Sequence, residues 1–262
     1  MTQHLSLGIA AALGPDLAAR IAPAAEHAGL HALWVNDTPG GDALEVLAAA
    51  AAVTERLVLA TGVLPVDRRS PRAILSRVAQ LGLPEERLVL GIGSGAISKG
   101  ALDAVADAAA ALQSGTTGAG TTARVVVGAL GPRMRRLGAE ASDGLLLSWL
   151  TPELAAVQAE EAHAIDPSAH VALYVRTAVD PSADARLDIE TARYGGYPAY
   201  AANFERLGIA AADTVIRPLE TADRLAAYRD AADEIVLRAI TPDDSESDLL
   251  QFIDSVSAAA RA

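Results

Sequence analysis

The sequence predicts an α/β fold, a (β/α)8 TIM barrel running as a single domain over residues 1–262. Three observations carry the prediction: eight short β-rich runs, alanine-rich stretches of helical period between them, and no Ser/Gly-rich linker dividing the chain. Composition agrees, with 51% hydrophobic residues but only 3% aromatic, so the core must be built from Ala, Val, Leu and Ile. Such side chains suit helices packed closely on strands. At 262 residues one barrel competes with two smaller domains, and the unbroken alternation favours the barrel.

The runs are LSLGIAA (5–11), HALWVND (31–37), RLVLATGVLP (56–65), RLVLGIGSG (87–95), RVVVGAL (124–130), DGLLLSW (143–149), HVALYVRT (170–177) and DEIVLRAI (233–240). After the first, PDLAARIAPAAEHAG has apolar residues at helical spacing, Asp16 near its start and Gly29 at its end. After the second, DALEVLAAAAAVTE repeats the pattern behind Asp42. A ninth run, DTVIRPL (213–219), contains Pro218, which lacks a ladder donor, and reads as a loop or accessory strand. The low-complexity patch GTTGAGTTA (115–123) reads as a mobile loop. Residues 180–210 hold four of the chain's seven Tyr and Phe residues (Tyr194, Tyr197, Tyr200 and Phe204), as expected of a helical insertion that covers something.

Bulk properties remove several functions. A formal charge of −12 argues against non-specific nucleic-acid binding, which rests on Lys and Arg neutralising phosphates. With no cysteine there is no disulfide, no thiolate nucleophile and no cysteine metal site. The five histidines suggest no metal site either: His27 and His31 straddle Gly29, while His4 and His170 stand at strand starts. The N-terminus lacks a basic leader and the longest alanine run is too short to cross a bilayer, so a cytoplasmic protein with a small-molecule substrate is expected.

RLVLGIGSGAISKG (87–100) poses the sharpest question, because Gly91, Gly93 and Ala96 satisfy the relaxed G-x-G-x-x-A dinucleotide pattern. A nucleotide-binding turn of that type follows a first strand and needs an acidic residue about 20 positions on to hold the ribose. Here the motif follows the fourth strand, and no Asp or Glu occurs from 108 to 139. In a barrel, glycines at a strand's C-terminal end instead let a flat ligand lie against bare backbone, or simply serve a tight turn.

Taken together, AEHAGLHALWVND, AAAAAVTERLVLATGVLPVDRRSPRAILSRVAQL, RLVLGIGSG, VVVGALGPRMRRLGAEASDGLLLSWLTPE and YPAYAANFERLGI resemble the bacterial luciferase-like family of flavin- and deazaflavin-dependent oxidoreductases. The resemblance implies a (β/α)8 barrel, usually a homodimer, holding an isoalloxazine or deazaflavin ring at its C-terminal mouth. It places Asp37 beside that ring, with helix or loop capping as the rival role. It matches Gly62 and Val63 to a third-strand bulge carrying a non-proline cis peptide behind the ring, with an ordinary strand-end glycine as the rival. Gly91 and Gly93 become bare backbone under the coenzyme.

Ala129, Leu130 and Gly131, before Pro132, would hold the phosphate tail on the amides of a helix start, and Ser148 would add a hydroxyl. Trp149 would stack on ring or substrate, whereas Trp34 reads as core. Within the family the arginine-rich, cysteine-free composition and LWVND favour coenzyme F420, with FMN as the alternative. Two departures matter. Thr38 and Ala96 stand where deazaflavin sugar-phosphate dehydrogenases of the family carry a His and a Glu, and the loop after the fourth strand is short. A trimmed relative that binds flavin without turnover therefore stands beside the enzyme reading.

Overall fold

The computed structural model describes residues 4–114 and 121–261. Residues 115–120, the larger part of the expected mobile loop, lie outside them. Among the described residues nine parallel strands form the sheet: β1 (His4–Ala10), β2 (Ala32–Asn36), β3 (Val58–Thr61), β4 (Leu64–Pro65), β5 (Leu88–Gly93), β6 (Arg124–Gly128), β7 (Gly144–Ser148), β8 (His170–Thr177) and β9 (Glu234–Ala239). β3 and β4 are two halves of one stave, broken at Gly62 and Val63, and both pair with β5, which closes an eight-stave barrel. Ala60 pairs with Val89 but Leu64 with Ile92, so the third stave carries one extra residue, a bulge.

Helices cover the outside: α1 (Pro15–His27), α2 (Ala43–Ala51), α3 (Pro71–Leu81), α4 (Ala101–Ser114), α5 (Pro132–Ala141), α6 (Pro152–Ile165), α7 (Asp184–Gly196), α8 (Pro198–Leu207), α9 (Thr221–Tyr228) and α10 (Glu246–Arg261). Local chemistry sets their ends. Asp42 Oδ1 accepts from the Leu44 amide at 3.0 Å and Ser70 Oγ from the Ala73 amide at 3.3 Å, while Pro15, Pro71, Pro132, Pro152 and Pro198 occupy first helical positions. Glu26 reaches out from α1 and accepts the amides of Glu55, Arg56 and Leu57 at 3.0, 2.7 and 2.8 Å, fixing the entry to β3.

Strand parity divides the apolar residues into two layers. Trp34, Val89, Val126, Leu146, Ala172, Tyr174 and Val236 fill the barrel, and their neighbours Leu33, Leu90, Val127, Leu147, Leu173 and Leu237 meet the helices. Residues 180–210 fold as α7 and α8, whose Leu187 and Phe204 join Trp149, Val215 and Ile240 in a separate apolar cluster over the barrel. The 213–219 run is a loop: two 3-10 turns flank one parallel bridge between Ile216 and Thr177, and Pro218 heads the second turn. No helix among the described residues is long and apolar enough to cross a membrane.

The N-terminal end of the barrel encloses one carboxylate. Glu234, 1% exposed, accepts from Ser6 Oγ at 2.5 Å and Trp34 Nε1 at 2.6 Å, and pairs with His170 Nε2 at 2.8 Å. Burial pushes this carboxyl up, but the hydrogen bond and charge of His170, with the bonds from Ser6 and Trp34, hold it below its ordinary value.

At the same end His31 stacks on His4 with ring centroids 3.9 Å apart. Burial lowers the pKa of His31, the charge of Glu234 opposes that shift, and His4, Arg124 and His170 add to it. Above the ordinary value of 6.5 the ring is neutral folded or unfolded; below it the unfolded chain takes the proton first, so stability falls until the folded ring also titrates. Urea unfolding of His31→Asn on either side of that value should show a weaker loss with acid than the parent, and an unchanged loss would assign it elsewhere.

Candidate active site at the C-terminal mouth

The C-terminal ends of the staves open into a cleft of about 520 Å³. Its volume arises where the last inward-facing positions lack side chains, and its polarity where they do not. Gly128 is one such gap, while Asn36, Ser148, Tyr174, Arg176 and Arg238 project from β2, β7, β8 and β9. Gly8 makes room behind them, since a Cβ there would stand 2.6 Å from the Tyr174 hydroxyl.

The third-stave bulge forms one wall. The Gly62–Val63 peptide is cis. The Gly62 carbonyl accepts from Asn36 Nδ2, and Asn36 Oδ1 accepts from the Tyr174 hydroxyl at 2.7 Å, a hydrogen-bonded chain from β8 across β2 to the bulge. Burial raises the Tyr174 pKa well above the ordinary phenol value, so its proton stays in that chain at neutral pH. Val63 stands between two glycines: a Cβ on Gly93 would lie 2.7 Å from its Cγ2, and one on Gly128 2.8 Å from its Cγ1. Gly62, Val63 and Gly93 all line the cleft.

Gly91 does not line the cleft, contrary to its expected place under a ring. A Cβ there would lie 2.0 Å from the Thr61 carbonyl oxygen, so this glycine serves the close approach of β3 to β5. Gly95, by contrast, faces the cleft at φ +59°, and its neighbour Ala96 donates its amide to Asp67 Oδ2 at 2.9 Å.

Ala129, Leu130, Gly131 and Ser148 line the opposite wall. Gly131 caps α5 with Pro132 at its first position, and a Cβ at Gly131 would meet nothing within 4 Å. The amides of Leu130 and Gly131 donate to no other group among the described residues. Free amides at a helix start, with the dipole behind them, suit an anionic oxygen group. Ser148 Oγ accepts from Arg176 Nη1 at 2.5 Å.

Asp37 borders the cleft, yet its carboxylate is 3% exposed and engaged. Arg69 grips it with Nε and Nη2 at 3.1 and 2.8 Å, the Ala43 amide at the start of α2 reaches Oδ1 at 3.3 Å, and Arg68 binds its carbonyl at 3.2 Å. The capping role weighed for it is thus present in the structure. Thr38 Oγ1 likewise accepts from the Ala12 amide at 3.2 Å.

Trp149 corrects another expectation. The ring is 1% exposed and does not line the cleft: it packs under the lid helices with Tyr194 at 4.8 Å and Phe204 at 6.0 Å. Its backbone turns left-handed at φ +59°, which swings the ring behind the strand end. The Arg176 guanidinium covers it, 4.1 Å above the ring centroid, and so separates it from any ligand.

Arg176 is the hub of the mouth. Besides Trp149 and Ser148 it touches the Tyr194 ring at 4.8 Å and pairs with Glu190 of α7 at 3.2 Å, tying the lid to β7 and β8. Tyr200 stands edge-on to Tyr194 at 4.9 Å, and burial pushes its hydroxyl up to about 12. Asn36, Tyr174, Arg176, Glu190 and Arg238 are site residues that motif reasoning missed. Strand parity was the signal for all but Glu190, which lies on α7: counting by two from the core residues Trp34, Ala172 and Val236 reaches Asn36, Tyr174 with Arg176, and Arg238.

Residues 2–100, which supply the first four staves and the bulge, match the family profile described as luciferase-like monooxygenase. That stretch resembles luciferase-like monooxygenases in sequence. No curated protein sequence matches the chain. Solved structures extend the likeness in fold to its full length. An F420-dependent secondary alcohol dehydrogenase, determined with an F420-acetone adduct, superposes at TM-score 0.76 with 15% identity over 100% of both chains. The F420-dependent tetrahydromethanopterin reductase of Methanopyrus kandleri gives 0.73 at 18% identity over 97% of this chain and 98% of its own. The oxygenating constituent of 3,6-diketocamphane monooxygenase from Pseudomonas putida, determined with FMN, gives 0.71 at 14% over 98% and 97%. These structures share one barrel fold with this chain, and among them that fold occurs with F420 and with FMN. Among the described residues no group of three or more His, Asp or Glu is placed to hold a metal ion.

Proposed function

We propose that this chain is an oxidoreductase that binds coenzyme F420 at the barrel mouth and passes hydride to or from a small organic substrate. One observation carries the reading. A single cleft of about 520 Å³, of ordinary size for a cofactor site, is flanked on one side by the cis Gly62–Val63 bulge and on the other by the free amides of Leu130 and Gly131. The residues fit a coenzyme with a flat ring and an anionic tail: Val63 and Gly93 offer an apolar wall, Ala129, Leu130, Gly131 and Ser148 an anion cradle. The preference for F420 over FMN rests on composition and on two structural neighbours that are F420-dependent enzymes.

Bound there, the coenzyme would supply the hydride chemistry. The chain would orient it, with Asn36 and Tyr174 fixing the Gly62 carbonyl and Asp37 holding the loop beyond β2 through Arg69. α7 and α8 would exclude water over the Arg176 side. The working unit would be a homodimer, as the sequence resemblance implies.

A specific observation favours a second reading, cofactor binding without turnover. Both carboxylates of the cleft wall, Asp37 and Glu190, are tied to arginines, and Thr38 and Ala96 transfer no proton at neutral pH. The visible spectrum of purified protein, with titrations of F420 and FMN, separates the readings. F420 binding followed by reduction with an alcohol or a sugar phosphate supports the enzyme. Tighter FMN binding transfers the reading to the monooxygenase branch, binding without reduction supports the second reading, and binding of neither overturns both.

A further inference from the structure

The mouth carries more positive charge than the coenzyme tail accounts for. Arg68, Arg176, Arg193 and Arg238 line the cleft against only Asp37 and Glu190, on a chain whose net charge is −12. Those two carboxylates are spoken for: Asp37 serves Arg69 and Arg68, and Glu190 serves Arg176 at 3.2 Å and Arg193 at 3.6 Å. Arg238 forms no ion pair among the described residues, and its guanidinium donates one hydrogen bond, from Nη1 to the carbonyl of Ala239. It is half-buried and stands directly opposite Arg176 in the β8–β9 register. Like charges in opposed positions on one face repel unless something negative lies between them.

The position of Arg238 sets it apart from the coenzyme cradle. β9 is separated from the bulged stave by β1 and β2, and from the phosphate-type loop after β6 by β7 and β8. The mouth therefore has three corners: an apolar wall at Val63, free amides at 130–131, and an unneutralised guanidinium at Arg238. From this geometry we infer that Arg238 binds an anionic group, carboxylate or phosphate, on the substrate. The inference rests on the coenzyme reading, which assigns the other two corners. A guanidinium offers a planar fork to either oxyanion and stays charged at any working pH. A neutral substrate would leave Arg238 without a counter-charge, so the substrate class is small organic acids or phosphate esters.

The test uses whole protein saturated with F420, or with FMN if that binds instead, so that the amide cradle is filled. Inorganic phosphate and acetate are titrated in separate arms, read by perturbation of the coenzyme's visible band. Saturable binding of at least one is expected, weakening with added salt. Arg238→Leu should weaken it tenfold or more with coenzyme affinity changed less than about twofold, and Arg238→Lys should retain part of it, showing that charge and not folding is at issue. The arm with tighter binding identifies carboxylate or phosphate as the group. Equal anion affinity in Arg238→Leu, or loss of coenzyme rather than anion, overturns the inference. If neither coenzyme binds, the coenzyme reading fails by itself and Arg238 is still testable: calorimetry with phosphate on bare protein should lose one site in Arg238→Leu, and an unchanged isotherm overturns it.

Discussion

Glu234→Ala is expected to lower the unfolding free energy by about 3–5 kcal/mol, because it removes the acceptor on which three donors, two of them fully buried, converge. Ser6 Oγ, Trp34 Nε1 and His170 Nε2 all lie within 2.8 Å of this carboxylate, inside a barrel otherwise filled by apolar side chains. Without it the indole N–H and the serine hydroxyl face a cavity, and His170 loses its hydrogen-bond partner. Glu234→Gln keeps shape and one carbonyl oxygen but not the charge-assisted bonds, so a smaller loss of about 1–3 kcal/mol is expected. The sign with pH follows from the depressed carboxyl: its stabilisation is complete above the ordinary value of 4.5 and is lost as pH falls through the lower folded value. The gap between parent and Glu234→Ala in urea unfolding should therefore narrow in acid. Glu234 begins β9 and Arg238 lies near its other end, about 13 Å away at strand rise, so folded variant should bind ligand at the mouth as the parent does. A change under about 1 kcal/mol at neutral pH would mean that water reaches the barrel floor.

Much of this architecture could be read from the chain because its local signals agree. The eight runs from LSLGIAA to DEIVLRAI are the eight staves, and of the signals at helix starts Asp42 became a cap and Pro132 a first helical residue, while Asp16 lies in the first turn of α1 without capping it. The bulge at Gly62–Val63 was legible only through family resemblance, since neither the extra residue nor the cis peptide has a propensity signature. Side-chain direction was the weak link. A motif marks a position, whereas the cleft is built by parity and twist: Asn36 points into the mouth while Asp37, one residue on, turns to Arg69. Trp149 misled for the same reason, since a left-handed residue at the end of β7 departs from strand parity. Glu190 and Tyr194 lie far along the chain from the staves they cover, and only the Arg176 contact brings them to the site.

Gly91→Ala should be the most damaging single-methyl change in the glycine-rich run, at about 3 kcal/mol or more, whereas the pattern G-x-G-x-x-A treats its glycines alike. The added Cβ would lie 2.0 Å from the Thr61 carbonyl oxygen and 3.2 Å from its carbon, so the clash is backbone against methyl and no rotamer relieves it. β3 and β5 would have to part at the point where Thr61 Oγ1 also donates to the Gly91 carbonyl at 3.0 Å. That displacement moves the next two residues, Gly62 and Val63, so affinity for the proposed coenzyme should fall with stability. Gly93→Ala meets a different neighbour: its Cβ would lie 2.7 Å from Val63 Cγ2, a side-chain atom. A loss of about 1–3 kcal/mol is expected there, and Val63→Ala in the same chain should recover part of it by removing the opposing methyl. Val63→Ala should recover nothing for Gly91→Ala, because the obstacle is a carbonyl on the neighbouring strand. Thermal unfolding of the four variants, with Val63→Ala alone as reference, checks the argument: rescue of both glycine variants by Val63→Ala would mean that the bulge yields as a unit and that Thr61 is not what requires Gly91.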